Sequence, residues 1–120
     1  MHPLPPAAEF QSFVGDAMAQ VFLDPFGLHF TFESMRWLAA YHRIEHIEAD
    51  GSVWAYDCEA AEGPPLVLHR LLYRRIEAVE WEDLAVTFRM EGGSALKVLS
   101  ELGPFESGLL GGPEKELAVF

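Results

Sequence analysis

The chain has 120 residues, half of them hydrophobic, with nine Phe and three Trp. That length fits one domain and that apolar content builds a real core, which excludes a disordered chain. Nineteen acids against eight bases leave a formal net charge of −11, a field that repels phosphate backbones and anionic headgroups. Neither a nucleic-acid nor a membrane partner is therefore expected.

One local exception stands out: Arg70, Arg74 and Arg75 cluster beside His69, and they read as solvated or paired with nearby acids. Cys58 is the sole cysteine, so no intrachain disulfide forms and a reducing compartment fits. The opening Met1-His2-Pro3-Leu4-Pro5-Pro6 has neither the basic start nor the apolar run of a signal peptide. No apolar stretch approaches the roughly 20 residues that span a bilayer. A cytoplasmic protein is expected.

Residues 1–6 read as an extended tail and 7–120 as a single domain. Phe10, Phe13 and Val14 recur at i, i+3, i+4 and predict a short helix ending near Gly15. A strand follows over 17–23, then turn chemistry in Asp24-Pro25-Phe26-Gly27. Leu28, Phe30 and Phe32 alternate with His29, Thr31 and Glu33, the pattern of a half-buried strand.

Residues 35–49 admit two readings. Trp37, Tyr41, Ile44 and Ile47 fit one helical face, yet Asp50-Gly51 before Val53-Trp54-Ala55-Tyr56 is a hairpin signal. A long strand bulged around Ala39-Ala40 is preferred over a helix, with Ile47 opposite Trp54 and Glu45 opposite Tyr56. After a loop over 59–65, Pro64-Pro65 opens a second short helix carrying Leu66, Leu68, Leu71 and Leu72 to Arg74. Strands are predicted over 76–81, through Leu84, Val86 and Phe88, and over 95–99, with turns at Asp83 and Gly92-Gly93. Gly103-Pro104 and Gly111-Gly112-Pro113 bracket a loop, and 116–120 supply a last edge strand.

The predicted class is α+β: mainly antiparallel β sheet with two short helices, built from a duplicated helix–hairpin–strand unit with halves near 7–58 and 64–120. Phe13-Val14 matches Leu71-Leu72, Val21 matches Val79, Leu28 matches Leu84, and Thr31-Phe32 matches Thr87-Phe88. Phe32 and Phe88 are expected at equivalent buried sites.

The sharpest chemical motif is His42-Arg43-Ile44-Glu45-His46, the H-x-x-E-H form of an inverted zinc-protease signature. On a helix, His42 and His46 share one face and can share a zinc, with Glu45 as base. On a strand they lie about 13 Å apart, too far for one ion. The preferred strand reading counts against the metal, and no cofactor is expected. Cys58 sits between Asp57 and Glu59, which disfavour a reactive thiolate. Surface candidates remain: Glu77, Glu80 and Glu82 as an acidic strand, and Phe105, Leu109 and Leu110 as apolar residues among glycines.

Phe13-Val14-Gly15 leading into the Val21 strand, Leu28-x-Phe30-x-Phe32, Leu71-Leu72 before Ile76-x-x-Val79, and Phe105-Glu106-Ser107 resemble a bacterial family of small uncharacterised domains loosely grouped with toxin-immunity proteins. The resemblance spans about residues 10–120 and implies no catalytic residues. It adds to the expectation of a non-catalytic protein–protein interaction module, a homodimer or an acidic partner for a basic protein. The alternative is a small metal-dependent hydrolase built on His42, Glu45 and His46. A ligand held inside the aromatic-rich sheet is a third possibility.

Overall fold

The computed structural model describes residues 10–25, 27–60, 62–100, 108–112 and 117–119. The tail expected at 1–6 and Phe105 lie outside the described residues. Ten strands appear in order: β1 (Met18–Asp24), β2 (Gly27–Phe32), β3 (Trp37–Ala40), β4 (Arg43–Ile47), β5 (Val53–Asp57), β6 (Ile76–Glu82), β7 (Ala85–Met90), β8 (Ala95–Leu99), β9 (Gly108–Gly111) and β10 (Leu117–Val119). They form two five-stranded antiparallel sheets, ordered β1-β2-β3-β9-β10 and β5-β4-β8-β7-β6. No helix among the described residues is long and apolar enough to cross a membrane.

The α+β expectation is corrected: the chain is mainly antiparallel sheet, and no helix of seven or more residues forms among the described residues. Leu68–Leu71 makes one 3-10 turn. Residues 10–16 close i→i+3 bonds from Phe13 N to Phe10 O (3.0 Å) and from Asp16 N to Phe13 O (3.0 Å). At four residues, Leu68–Leu71 is too short to offset helix nucleation. Each segment ends in a left-handed residue, Gly15 at φ 90° and Tyr73 at φ 64°, which turns the chain at once into the next strand.

Three further expectations change. The long strand over 37–47 is two strands, β3 and β4, which belong to different sheets and part at Tyr41-His42. The β4–β5 register is shifted by one: Ile47 faces Val53, His46 faces Trp54 and Glu45 faces Ala55. The cause is the turn. Gly51 N bonds Glu48 O (2.9 Å) and Glu48 N bonds Ser52 O (2.8 Å), so the loop has three residues with left-handed Gly51 last, not a two-residue Asp-Gly turn. Finally, Leu109 and Leu110 are not loop residues: β9 runs between β3 and β10.

The repeat in the structure also differs from the expected one. The β1–β2 register pairs Met18 with Phe32 and Val21 with Phe30, and the β6–β7 register pairs Ile76 with Met90 and Val79 with Phe88. Every position maps with a constant offset of 58, and both hairpins carry a bulge one residue past their start. Phe88 is therefore equivalent to Phe30, and Phe32 to Met90; Leu84 falls in the turn and is 40% exposed. The repeat continues through β3 and β8. The strands that follow then change sheets: β4-β5 completes the sheet of β6-β7-β8, and β9-β10 completes that of β1-β2-β3. The two halves exchange hairpins, and neither sheet is built from one half.

The alternation of β2 sends Leu28, Phe30 and Phe32 into the core, where they meet Val86, Phe88 and Met90 of β7. Phe13 bridges the sheets, with its ring 5.1 Å from Phe32 and 5.7 Å from Phe88, both edge-on. The two three-residue turns that match by the offset end at Met35 (φ 76°) and Gly93 (φ 95°).

Left-handed backbone costs a side-chain-bearing residue roughly 1–2 kcal/mol, and Met35 is 73% exposed, so it returns little packing. Met35→Gly is expected to raise stability in urea denaturation by about 0.5–1 kcal/mol after the unfolded-state entropy of glycine is counted. Gly93→Ala, the matching position, is expected to lower it. A destabilising Met35→Gly contradicts the turn assignment.

Candidate functional site

Strand geometry separates the histidine motif. His42 precedes β4 and its Nδ1 lies 3.7 Å from Glu59 Oε2. His46, four residues on, lies on the same face of β4 as Ile44 and is 0% exposed. Glu45 points to the other face and lines a separate depression of about 390 Å³, where Arg43 and Asp57 answer each other at 3.9 Å. Among the described residues no group of three or more His, Cys, Asp or Glu stands close enough to hold a metal ion.

His46 instead forms the inner wall of a polar cleft of about 290 Å³, with Glu48, Arg70, Arg74, Glu91 and Ser94 around it. Three features converge there: the end of β4, the β7–β8 turn, and the segment after the 3-10 turn. Glu48 accepts from Trp54 Nε1 at 2.9 Å and from Arg70 Nη1. These two bonds hold its carboxyl below the usual range, the Trp54 bond contributing most. Glu91 Oε1 accepts from Arg75 N at 3.1 Å. Both ring nitrogens of His46 lack a hydrogen-bond partner, and burial pushes its pKa down against an opposing pull from Glu48, with Arg70 and His69 adding to the fall. Arg70 and Arg74, read from the sequence as solvated or paired, both line this cleft. The turn at Gly92-Gly93 is legible in the sequence, but its closeness to Arg74 is not.

The other sequence candidates lie elsewhere. Glu77, Glu80 and Glu82 are exposed along β6, but Glu80 is bonded to Arg89 Nε at 2.9 Å and Glu82 lies 3.9 Å from Lys97 Nζ. Leu109 pairs with Ala39, and Leu110 with Leu38. Cys58 is buried, and burial with the adjacent Asp57 pushes its thiol up to about 12, an inert state for a nucleophile.

Of the four edge strands β1, β10, β5 and β6, β1 and β6 meet at their starts through the Ala17–Arg75 bridge. Outside β1, Met18 bonds to residues 73 and 74, and outside β6, Ile76 bonds to 15 and 16. Beyond those points both strands are open-edged among the described residues. β6 presents Glu80, Trp81 and Glu82 there; the equivalent residues of β1 are Phe22, Leu23 and Asp24. Phe22 is 47% exposed and Leu23 71%.

No family model, no curated protein and no solved structure matches the chain.

The register of β9 on β3 places Leu110 where β4 has His46, since Leu38 and Leu96 are equivalent partners. A buried polar group without a partner costs roughly 1–3 kcal/mol, so His46→Leu is expected to raise the melting temperature at pH 7. The pH dependence has a definite sign. Below the ordinary value of 6.5 the unfolded chain takes up a proton that folded His46 refuses, so wild-type stability falls as pH drops through that window. Urea titrations between about pH 7 and 5 should show this slope reduced in His46→Leu; an unchanged slope would show that His46 does not cause it.

Proposed function

We propose that this chain is a non-catalytic protein–protein interaction module that works as a homodimer, joined edge to edge through β1. The observation that carries the reading is the unguarded apolar edge of that strand. Sheet edges are ordinarily blunted by charge, because unpaired N–H and C=O groups invite another chain. β6 follows that rule with Glu77, Glu80 and Glu82, and β1 carries no charged residue from Met18 to Leu23.

The sequence of β1 is also self-complementary. An antiparallel pair centred on Phe22 sets Gln20 opposite Asp24 and Val21 opposite Leu23 of the second copy. No like charges then face each other, despite a net charge of −11 per chain. The acidic field favours a basic protein as a further partner, and an immunity-like capture of a basic domain is one form of that role. Because Glu80 and Glu82 already have cationic neighbours, their part in it is long-range steering more than direct contact. With one buried cysteine and no expected membrane partner, the cytoplasm is the compartment we assign.

Light scattering at tens of micromolar is expected to give twice the chain mass of 13.4 kDa. Phe22→Lys, which sets two cations against each other at the dyad, is expected to give monomer, and Glu80→Lys on the other edge to leave the dimer intact. A wild-type mass of 13.4 kDa at that concentration contradicts the reading.

A further inference from the structure

The internal repeat lets one half act as a control for the other. In the first half a carboxylate caps the β2–β3 turn. Asp16 is 8% exposed; its Oδ1 accepts from Ser34 N at 3.1 Å, and its Oδ2 accepts from the Ser34 hydroxyl. Arg36 Nη1 donates to the same hydroxyl at 3.0 Å. The offset of 58 carries Asp16 to Arg74, Ser34 to Gly92 and Arg36 to Ser94.

The second half therefore has the same turn without its carboxylate. A guanidinium stands where the acid stood, and the Gly92 N–H has no hydrogen-bond acceptor among the described residues, unlike its counterpart at Ser34. Arg74 lies close against the turn: a Cβ on Gly92, which sits at φ +89°, would come 2.8 Å from Arg74 Nη1. The missing side chains open the cleft of about 290 Å³, and its inner wall is the fully buried His46, with both nitrogens unpartnered. Of the two cations that line the cleft, Arg70 is already neutralised by Glu48, and Arg74 has no ion pair among the described residues.

We propose that this cleft binds a carboxylate-bearing ligand, whose carboxylate pairs with Arg74 and faces the Gly92 N–H beside it, serving the β7–β8 turn as Asp16 serves the β2–β3 turn. A single negative charge suits the site better than a phosphate dianion, because Glu48 and Glu91 stand on the same walls and repel added charge. His46 lies behind the cleft wall, fully buried, so its ring reports on occupancy of the cleft without contacting the ligand. This site is separate from the β1 edge and does not depend on dimerisation.

The test is an NMR titration of the full chain with sodium acetate against sodium chloride at matched ionic strength, following the Gly92 amide and the His46 ring. Saturable acetate shifts at both positions, absent with chloride, are expected, with affinity at least tenfold weaker in Arg74→Gln. Arg74→Asp, which installs the acid of the other half, is expected to abolish acetate binding and to shift the Gly92 amide as Asp16 bonding does at Ser34. A blocked dipeptide with a free C-terminal carboxylate, compared with its amide, distinguishes sources. Tighter binding of the acid than of acetate points to a chain terminus, and equal binding to a small free acid. Acetate shifts no larger than those of chloride, or equal affinity in a folded Arg74→Gln, would overturn the proposal.

Discussion

Four backbone hydrogen bonds hold the two halves together in pairs that map onto each other. Gly15 N donates to Ile76 O at 2.8 Å and Tyr73 N to Met18 O at 2.7 Å; Met18 N donates to Arg74 O at 3.1 Å and Ile76 N to Asp16 O at 2.8 Å. Between them, Ala17 bridges Arg75, its own equivalent. A pseudo-twofold axis passes through this junction. It places β1 and β6 end to end, and it fixes where each sheet must begin. Left-handed Gly15 and Tyr73 are what permit the approach, because each reverses the chain just before its junction strand.

The hairpin exchange follows from that placement. After three strands each half has a sheet with one edge at the junction and the other edge open; the open edges of β3 and β8 are covered by β9 and β4 of the other half. The core is correspondingly shared. Phe13 touches Phe32 of one sheet and Phe88 of the other, and Phe10 packs on Phe88 at 6.1 Å. Departures from the symmetry then become informative. Where both halves keep an apolar residue, as at Phe30 and Phe88, packing explains it. Where one half is apolar and the other polar, as at Leu110 and His46, or acid and base exchange, as at Asp16 and Arg74, the fold does not require the difference.

Much of the strand content was legible in the sequence, because period-two alternation in 28–32 and the strand 95–99 reports a buried sheet face directly. The failures share a cause. Phe10, Phe13 and Val14, like Leu68, Leu71 and Leu72, carry helical spacing over barely one turn, and such spacing equally fits a 3-10 turn that drops two side chains into a core. Residues 37–47 read as one strand because a change of sheet at Tyr41-His42 leaves no glycine or proline to mark it. The sequence match of Val21 with Val79 keeps the true register, whereas Leu28 with Leu84 and Thr31-Phe32 with Thr87-Phe88 lie two residues out of it; backbone pairing, not residue identity, sets the equivalence. The cleft was invisible for a related reason. Its meaning lies in what Arg74, Gly92 and His46 replace, and only the register names their counterparts.

If the junction and the exchanged hairpins join the halves as described, the chain has no half-sized folding unit. Native-state hydrogen exchange tests this most directly. The amides of Met18 and Ile76 at the junction, and those pairing β4 with β8 and β3 with β9, are expected to exchange only by global unfolding, with one common free energy for both sheets. Protection that divides into two levels, one for residues 10–57 and another for 62–119, would contradict it.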